Sequence, residues 1–186
     1  MMRYADAQLT RDEDEQYDEA LSPPVFLILT LFVSHFSAVA LGQRNAILAN
    51  THGLASLVDD DTAAVVVRLV ILAAFPLIFS VLMLAARRTR LNRKSLRWPF
   101  YSQCYPAAVF ARGIGLSAEV GQLRVGPAGL SDMILLAAGL WLLVVEAIWC
   151  RRVQGFGWPR AVGVAVAGMI IGTAIVLTVA LLLVTG

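Results

Sequence analysis

Five long stretches of mostly apolar residues, separated by short polar connectors, constrain this chain more than any other feature of it. A helix of about 20 apolar residues crosses the roughly 30 Å hydrocarbon core of a bilayer. Four stretches meet that length outright, at about 24–42, 62–86, 131–150 and 161–185, and a less hydrophobic fifth lies at about 101–123. Lipid offers no partner to a backbone N–H or C=O, so segments of this kind enter it as helices. The composition agrees: 59% of the 186 residues are hydrophobic and the mean hydropathy is +0.73, against about 45–50% apolar in soluble domains. The pattern predicts an all-α, polytopic transmembrane helix bundle of five spans over residues 23–186. The alternative is four spans with a partly inserted third segment, because Arg112 and Glu119 interrupt 101–123.

Charge sets the orientation. Arg87, Arg88, Arg90, Arg93, Lys94 and Arg97 fall within eleven residues that contain no acid, and basic connectors stay on the cytoplasmic side. With five crossings and a cytoplasmic N-terminus, the inner segments hold eleven basic residues, whereas the outer loops hold Arg44 and Arg124. The asymmetry shrinks if 101–123 does not cross, which favours five spans, with the C-terminus outside. The six cations should contact the inner leaflet, where each is worth on the order of 1 kcal/mol against anionic lipid. The membrane expected is a bacterial inner membrane.

Residues 1–22 carry Asp6, Asp12, Glu13, Asp14, Glu15, Asp18 and Glu19 against Arg3 and Arg11. Such a segment cannot bury enough apolar surface to fold, so it reads as a disordered acidic cytoplasmic tail, or as one that docks on a basic partner. It also lacks the positive start of a signal peptide, so the first apolar stretch should be retained as a span. Fourteen of the fifteen basic residues are arginine, a composition that speaks for a GC-rich genome rather than for a nucleic-acid surface.

Charged side chains inside a membrane cost about 2.5–3.5 kcal/mol each on insertion scales, so each calls for a partner or a task. At a rise of about 1.5 Å per residue, His35, Arg68, Arg112, Glu119 and Asp132 all fall in the outer half of the bilayer. They form a candidate polar cluster. Its bland reading is a set of bridges between helices, Arg68 to Glu119 or Asp132 and Arg112 to another of these acids. Its functional reading is an outward-opening pocket with His35 as a titratable member, and a third is arginines that snorkel to the interface. Glu146 reads as a partner of the basic connector, since Arg151 and Arg152 follow it within two turns. Pro76 and Pro106 interrupt two spans. Gly163, Gly168 and Gly172 mark a packing face, the last two at the four-residue spacing that lets helix backbones approach, within the chain or between copies.

No enzyme signature survives inspection: there is no HExxH, GxSxG or phosphate-cradling loop. Cys104 and Cys150 lack metal-ligand spacing, so neither cofactor nor metal is expected. The stretch Arg97-Trp98-Pro99-Phe100-Tyr101-Ser102-Gln103-Cys104-Tyr105-Pro106 resembles the aromatic, proline-bearing entry to the third helix in the Yip family of Ypt/Rab-interacting five-helix membrane proteins, whose bacterial relatives are often labelled permeases. That resemblance implies a compact five-helix bundle without a cofactor, acting in membrane organisation, trafficking or transport. The very short N-terminal segment departs from the eukaryotic members, which points away from binding a small GTPase. Two functions follow as expectations: a non-enzymatic scaffold or accessory subunit that binds other membrane proteins or itself, or a small permease. A scaffold should pair its intramembrane charges within a closed bundle, and a permease should expose them in a water-filled cavity.

Overall fold

The computed structural model describes residues 21–42, 61–124 and 126–185, apart from the side chains of 61–64, 68 and 183–185. The expected acidic tail and the 43–60 connector lie outside the described residues. The described chain is all helical, with five helices: α1 (Pro23–Ala40), α2 (Asp61–Ala86), α3 (Arg93–Leu123), α4 (Leu130–Gln154) and α5 (Trp158–Thr185). Four of them, at Pro23–Ala40, Val65–Ala86, Leu130–Gln154 and Trp158–Leu182, are long and apolar enough to cross a membrane. The expected five spans are thus met in four, and α3 is not among them.

Local chemistry sets the helix ends. Pro23 and Pro24 open α1 at positions whose N–H groups would have no intrahelical partner. At the end of α2, Arg88 adopts a left-handed φ of 55°, and the amides of Arg88 and Thr89 turn back to the carbonyls of Ala85 and Leu84. This is a Schellman stop, in the conformation that usually calls for glycine. The third helix begins at Arg93, eight residues before the expected 101, because Asn92 and Ser95 form a capping box: each side chain bonds the other's backbone N–H, at 2.8 and 3.1 Å. Arg93, Lys94 and Arg97 therefore stand on the first turns of a helix and not in a connector.

Packing explains why α3 reads as weakly hydrophobic. It lies at the centre, with α1, α2 and α4 packed around it, while α5 closes the opposite side against α2 and α4. From Ser102 to Ala111 every residue of α3 is buried or half-buried. A helix shielded by protein does not need apolar side chains facing lipid, so its sequence is free to carry serine, glutamine and charge. The outer helices show the reverse pattern. Along α1 the exposed positions Val25, Leu29, Phe32, Phe36 and Val39 form one apolar stripe, opposite the buried Leu27 and Leu31. A large continuous apolar exterior of this kind marks a lipid-facing surface.

Small residues decide how α5 docks. Ala161, Ala165, Gly168 and Gly172 are buried along one face, and the rings of Phe79 and Phe75 occupy the space that a Cβ would take at Gly168 and Gly172. The two rings join Met83, Phe110, Leu142, Trp149 and Cys150 in the main core. A second core joins Leu27 and Leu31 of α1 to Cys104, Ala107, Ala108 and Ala111 of α3. Gly163, the other expected packing residue, has nothing within 4 Å of its Cβ position and contributes no close approach here.

Candidate functional site

The bundle holds two layers of buried polar groups, one toward each end of α3. In the layer toward the C-terminal end of α3, Arg112 and Glu119 form a forked ion pair, Nη1–Oε1 2.9 Å and Nη2–Oε2 3.3 Å. They lie seven residues apart, two turns along one helix, so their side chains leave nearly the same face. Glu119 is 7% exposed and Arg112 35%: the carboxylate is shielded, and the guanidinium reaches outward. Arg112 thus meets one of the acids expected for it, but on its own helix and not across to another; the bridge expected of Arg68 lies outside the described side chains. The partner of Arg112 is its own helix's acid, and a bidentate contact satisfies both groups at once.

His35 and Asp132 are not gathered with that pair. His35 is half-buried on α1, its ring 5.8 Å from that of Phe36, and among the described residues no hydrogen bond joins it to Arg112 or Glu119. The residue before it, Ser34, comes nearer: a Cβ at Gly115 would lie 3.5 Å from both Ser34 Oγ and Arg112 Nη1. Ser34 Oγ is buried without a hydrogen bond. Asp132 is exposed in the first turn of α4, where a negative charge favours the helix N-terminus. It lines a cavity of about 440 Å³ with Arg124 and Gly126–Ser131, and His35, Arg112 and Glu119 do not line it. Arg68 lies on α2, and its side chain is outside the described residues. Beside this layer α3 and α4 are clamped by Ser117 and Ser131, whose hydroxyls donate to each other's backbone carbonyls at 2.8 and 3.0 Å. Such reciprocal bonds hold two helices without any charge.

The layer toward the N-terminal end of α3 is one that the sequence does not announce. Glu146 of α4 is fully buried, and its Oε2 accepts a hydrogen bond from the Gln103 amide of α3 at 2.9 Å. The same nitrogen lies 3.7 Å from Met83 Sδ of α2, so three helices meet at one amide. Glu146 Oε1 has no hydrogen-bond partner. This corrects the reading of Glu146 as a partner of the basic connector. Arg151 and Arg152 follow by five and six residues, which at about 3.6 residues per turn turns them well away from its face, and both are exposed. Gln103 could have been suspected as a polar residue between Pro99 and Pro106, but only packing reveals which acid it meets.

Beyond this layer lies a basic end. Arg87, Arg88, Arg90, Arg93, Lys94, Arg97, Arg151, Arg152 and Arg160 are all exposed there. Several already have structural work within the protein. Arg87 donates to the Val153 carbonyl of α4 at 2.8 Å and Arg160 to the Ala86 carbonyl of α2, each cation meeting a helix C-terminus, where the dipole favours positive charge. Arg97, Arg151 and Arg160 lie over the rings of Tyr101, Trp158 and Phe156, at 5.6, 4.4 and 4.5 Å. Trp98 and Trp149 stack 5.5 Å apart beneath them. Aromatic rings just inside a belt of cations are the usual arrangement at a headgroup boundary.

Among the described residues no group of three or more His, Cys, Asp or Glu is placed to hold a metal ion, and Cys104 and Cys150 are buried free thiols. Comparison with protein-family models, with curated proteins and with solved structures finds no match.

Proposed function

We propose that this chain is a five-span integral membrane protein that works as a non-enzymatic scaffold or accessory subunit, through helix contacts with other membrane proteins or with a second copy. The observation that carries the reading is the internal pairing of buried charge. Arg112 is closed by Glu119, Glu146 is held by Gln103, and neither pair lines the cavity beside Asp132. A transport path needs polar groups that water and substrate can reach, whereas Glu119, Gln103 and Glu146 are buried against protein. The central position of α3 supports counting it as the fifth span, since α1, α2 and α4 pack around it and bury Glu119. The proposed orientation, N-terminus cytoplasmic in a bacterial inner membrane, is supported by the basic end. The Yip-like reading of Arg97–Pro106 belongs to the same proposal, and those residues form the entry to the central helix.

Ser34→Cys tests the closed bundle, because Ser34 lies beside Arg112. With the protein in its native membrane, an impermeant thiol reagent applied from outside should leave it unmodified while modifying an exposed Leu41→Cys control. A photoreactive residue in place of Phe36, which is 64% exposed on the α1 stripe, should yield one discrete adduct with a partner subunit or a second copy. Rapid labelling at position 34, with only lipid adducts at position 36, would support a permease instead.

A further inference from the structure

Among the described residues the basic end has no counter-charge. Arg88, Arg90, Arg93, Lys94 and Arg152 have neither a hydrogen bond nor an ion pair among the described residues, unlike Arg87 and Arg160 beside them. The acids whose side chains are described are Glu119, Asp132 and Glu146; the first two lie at the opposite end and the third is buried. The five cations share one surface, since Arg87 ties the end of α2 to that of α4 and the Trp98–Trp149 stack brings the start of α3 alongside.

The same chain carries the complementary charge, and it enters the bundle nearby. Six acids fall between Asp12 and Glu19. The chain after them reaches Leu21, whose carbonyl accepts from the Tyr105 hydroxyl at 3.4 Å, and Phe26 packs on the Tyr105 ring. The first helix thus runs alongside α3 in the same direction but starts partway along it, so Leu21, just before Pro23, lies on the side of it nearer the basic end. From Tyr105 back to Arg97 and Lys94 is about 12 and 16 Å at 1.5 Å per residue. Asp14 and Glu15, seven and six residues before Leu21, reach about 20 Å in extended chain at roughly 3.3 Å per residue.

We propose that the acidic segment Asp12–Glu19 docks on the face formed by Arg88, Arg90, Arg93, Lys94 and Arg152. Tethering gives the segment an effective concentration in the millimolar range without any further contact, and opposite charges desolvated at an interface attract more strongly than in water. Anionic phospholipid headgroups are the competing occupant of this face. They would repel the acids that the face attracts.

Lys94 is the only lysine in the chain, which makes the test specific. The full chain, in nanodiscs of zwitterionic lipid at low salt, is treated with a zero-length carbodiimide. This activates a carboxyl group; the Lys94 amine displaces the resulting urea and leaves an amide. Digestion and mass spectrometry should find Lys94 joined to residues within Asp12–Glu19. The adduct should fall severalfold at about 1 M salt, where the Debye length is about 3 Å, and likewise in the D12N/E13Q/D14N/E15Q variant, and it should persist in discs that contain anionic phospholipid. Failure to form it while Lys94 still acylates with a succinimidyl ester would overturn the proposal, as would a yield indifferent to salt and to the tail variant. Formation in zwitterionic discs with loss in anionic ones would assign the face to lipid.

Discussion

Gln103 of α3 and Glu146 of α4 form a hydrogen-bonded pair in the half of the bundle nearer the basic end, 2.9 Å apart, with the carboxyl group fully buried and its second oxygen unpartnered. Forty-three residues separate them in sequence. Met83 of α2 closes the third side, so three helices meet at this polar contact.

Removing one member of that pair should hurt more than removing both. Gln103→Ala strips a buried carboxyl of its donor, a loss of about 1–3 kcal/mol, and should lower the unfolding temperature in detergent. The double change Gln103→Leu with Glu146→Leu should recover much of the loss, because apolar groups of similar volume leave nothing unsatisfied. A double variant less stable than Gln103→Ala would show that the pair contributes more than it costs.

The two members of the Arg112–Glu119 pair are buried unequally, which sets the order of their effects. Arg112→Ala leaves the shielded carboxylate without its cation, and Glu119→Ala leaves a guanidinium already 35% exposed that can bend outward. Thermal unfolding should therefore place Arg112→Ala below Glu119→Ala, and the double alanine variant above Arg112→Ala. Equal losses in both single variants would contradict the unequal shielding.

Phe79 fills the position that a side chain at Gly168 would need. Gly168→Ala should destabilise by about 1–3 kcal/mol through overpacking, and Phe79→Leu should relieve part of that. Gly163→Ala meets nothing within 4 Å and should be neutral or slightly stabilising, since alanine is the better helix former. Equal effects at 163 and 168 in a denaturation series would argue against this docking of α5 on α2.

Whether α3 crosses the bilayer is decided by the sides on which its ends label. Arg90→Cys precedes the helix and Ala128→Cys follows it, and both positions are exposed. In intact cells an impermeant thiol reagent should reach position 128, and position 90 only after permeabilisation. Labelling of both from one side would reduce the bundle to four crossings.

Much was legible in the sequence, because transfer to lipid is a property of composition along a segment. Length and hydropathy alone marked four membrane-competent helices, and they appear at 23–40, 65–86, 130–154 and 158–182 within a few residues of the stretches read from the chain. The end of α3 at Leu123 was equally visible. Its start was not, because the Asn92–Ser95 box that opens the helix is two polar residues within a run of cations, and the cations drew the eye to a connector.

Tertiary structure decided the pairing of the buried groups. Hydropathy reports the cost of a charge in lipid but not which neighbour offsets it. Glu146 reads toward Arg151 and Arg152 by proximity along the chain, yet helical rotation points it at Gln103, a residue on another helix. Arg112 reads as a link between helices, yet two turns of α3 bring Glu119 under it. The low hydropathy of α3, a sign of weak insertion when taken alone, is what a helix surrounded by protein can tolerate. Its surroundings are set by three other helices, and no local window of sequence contains them.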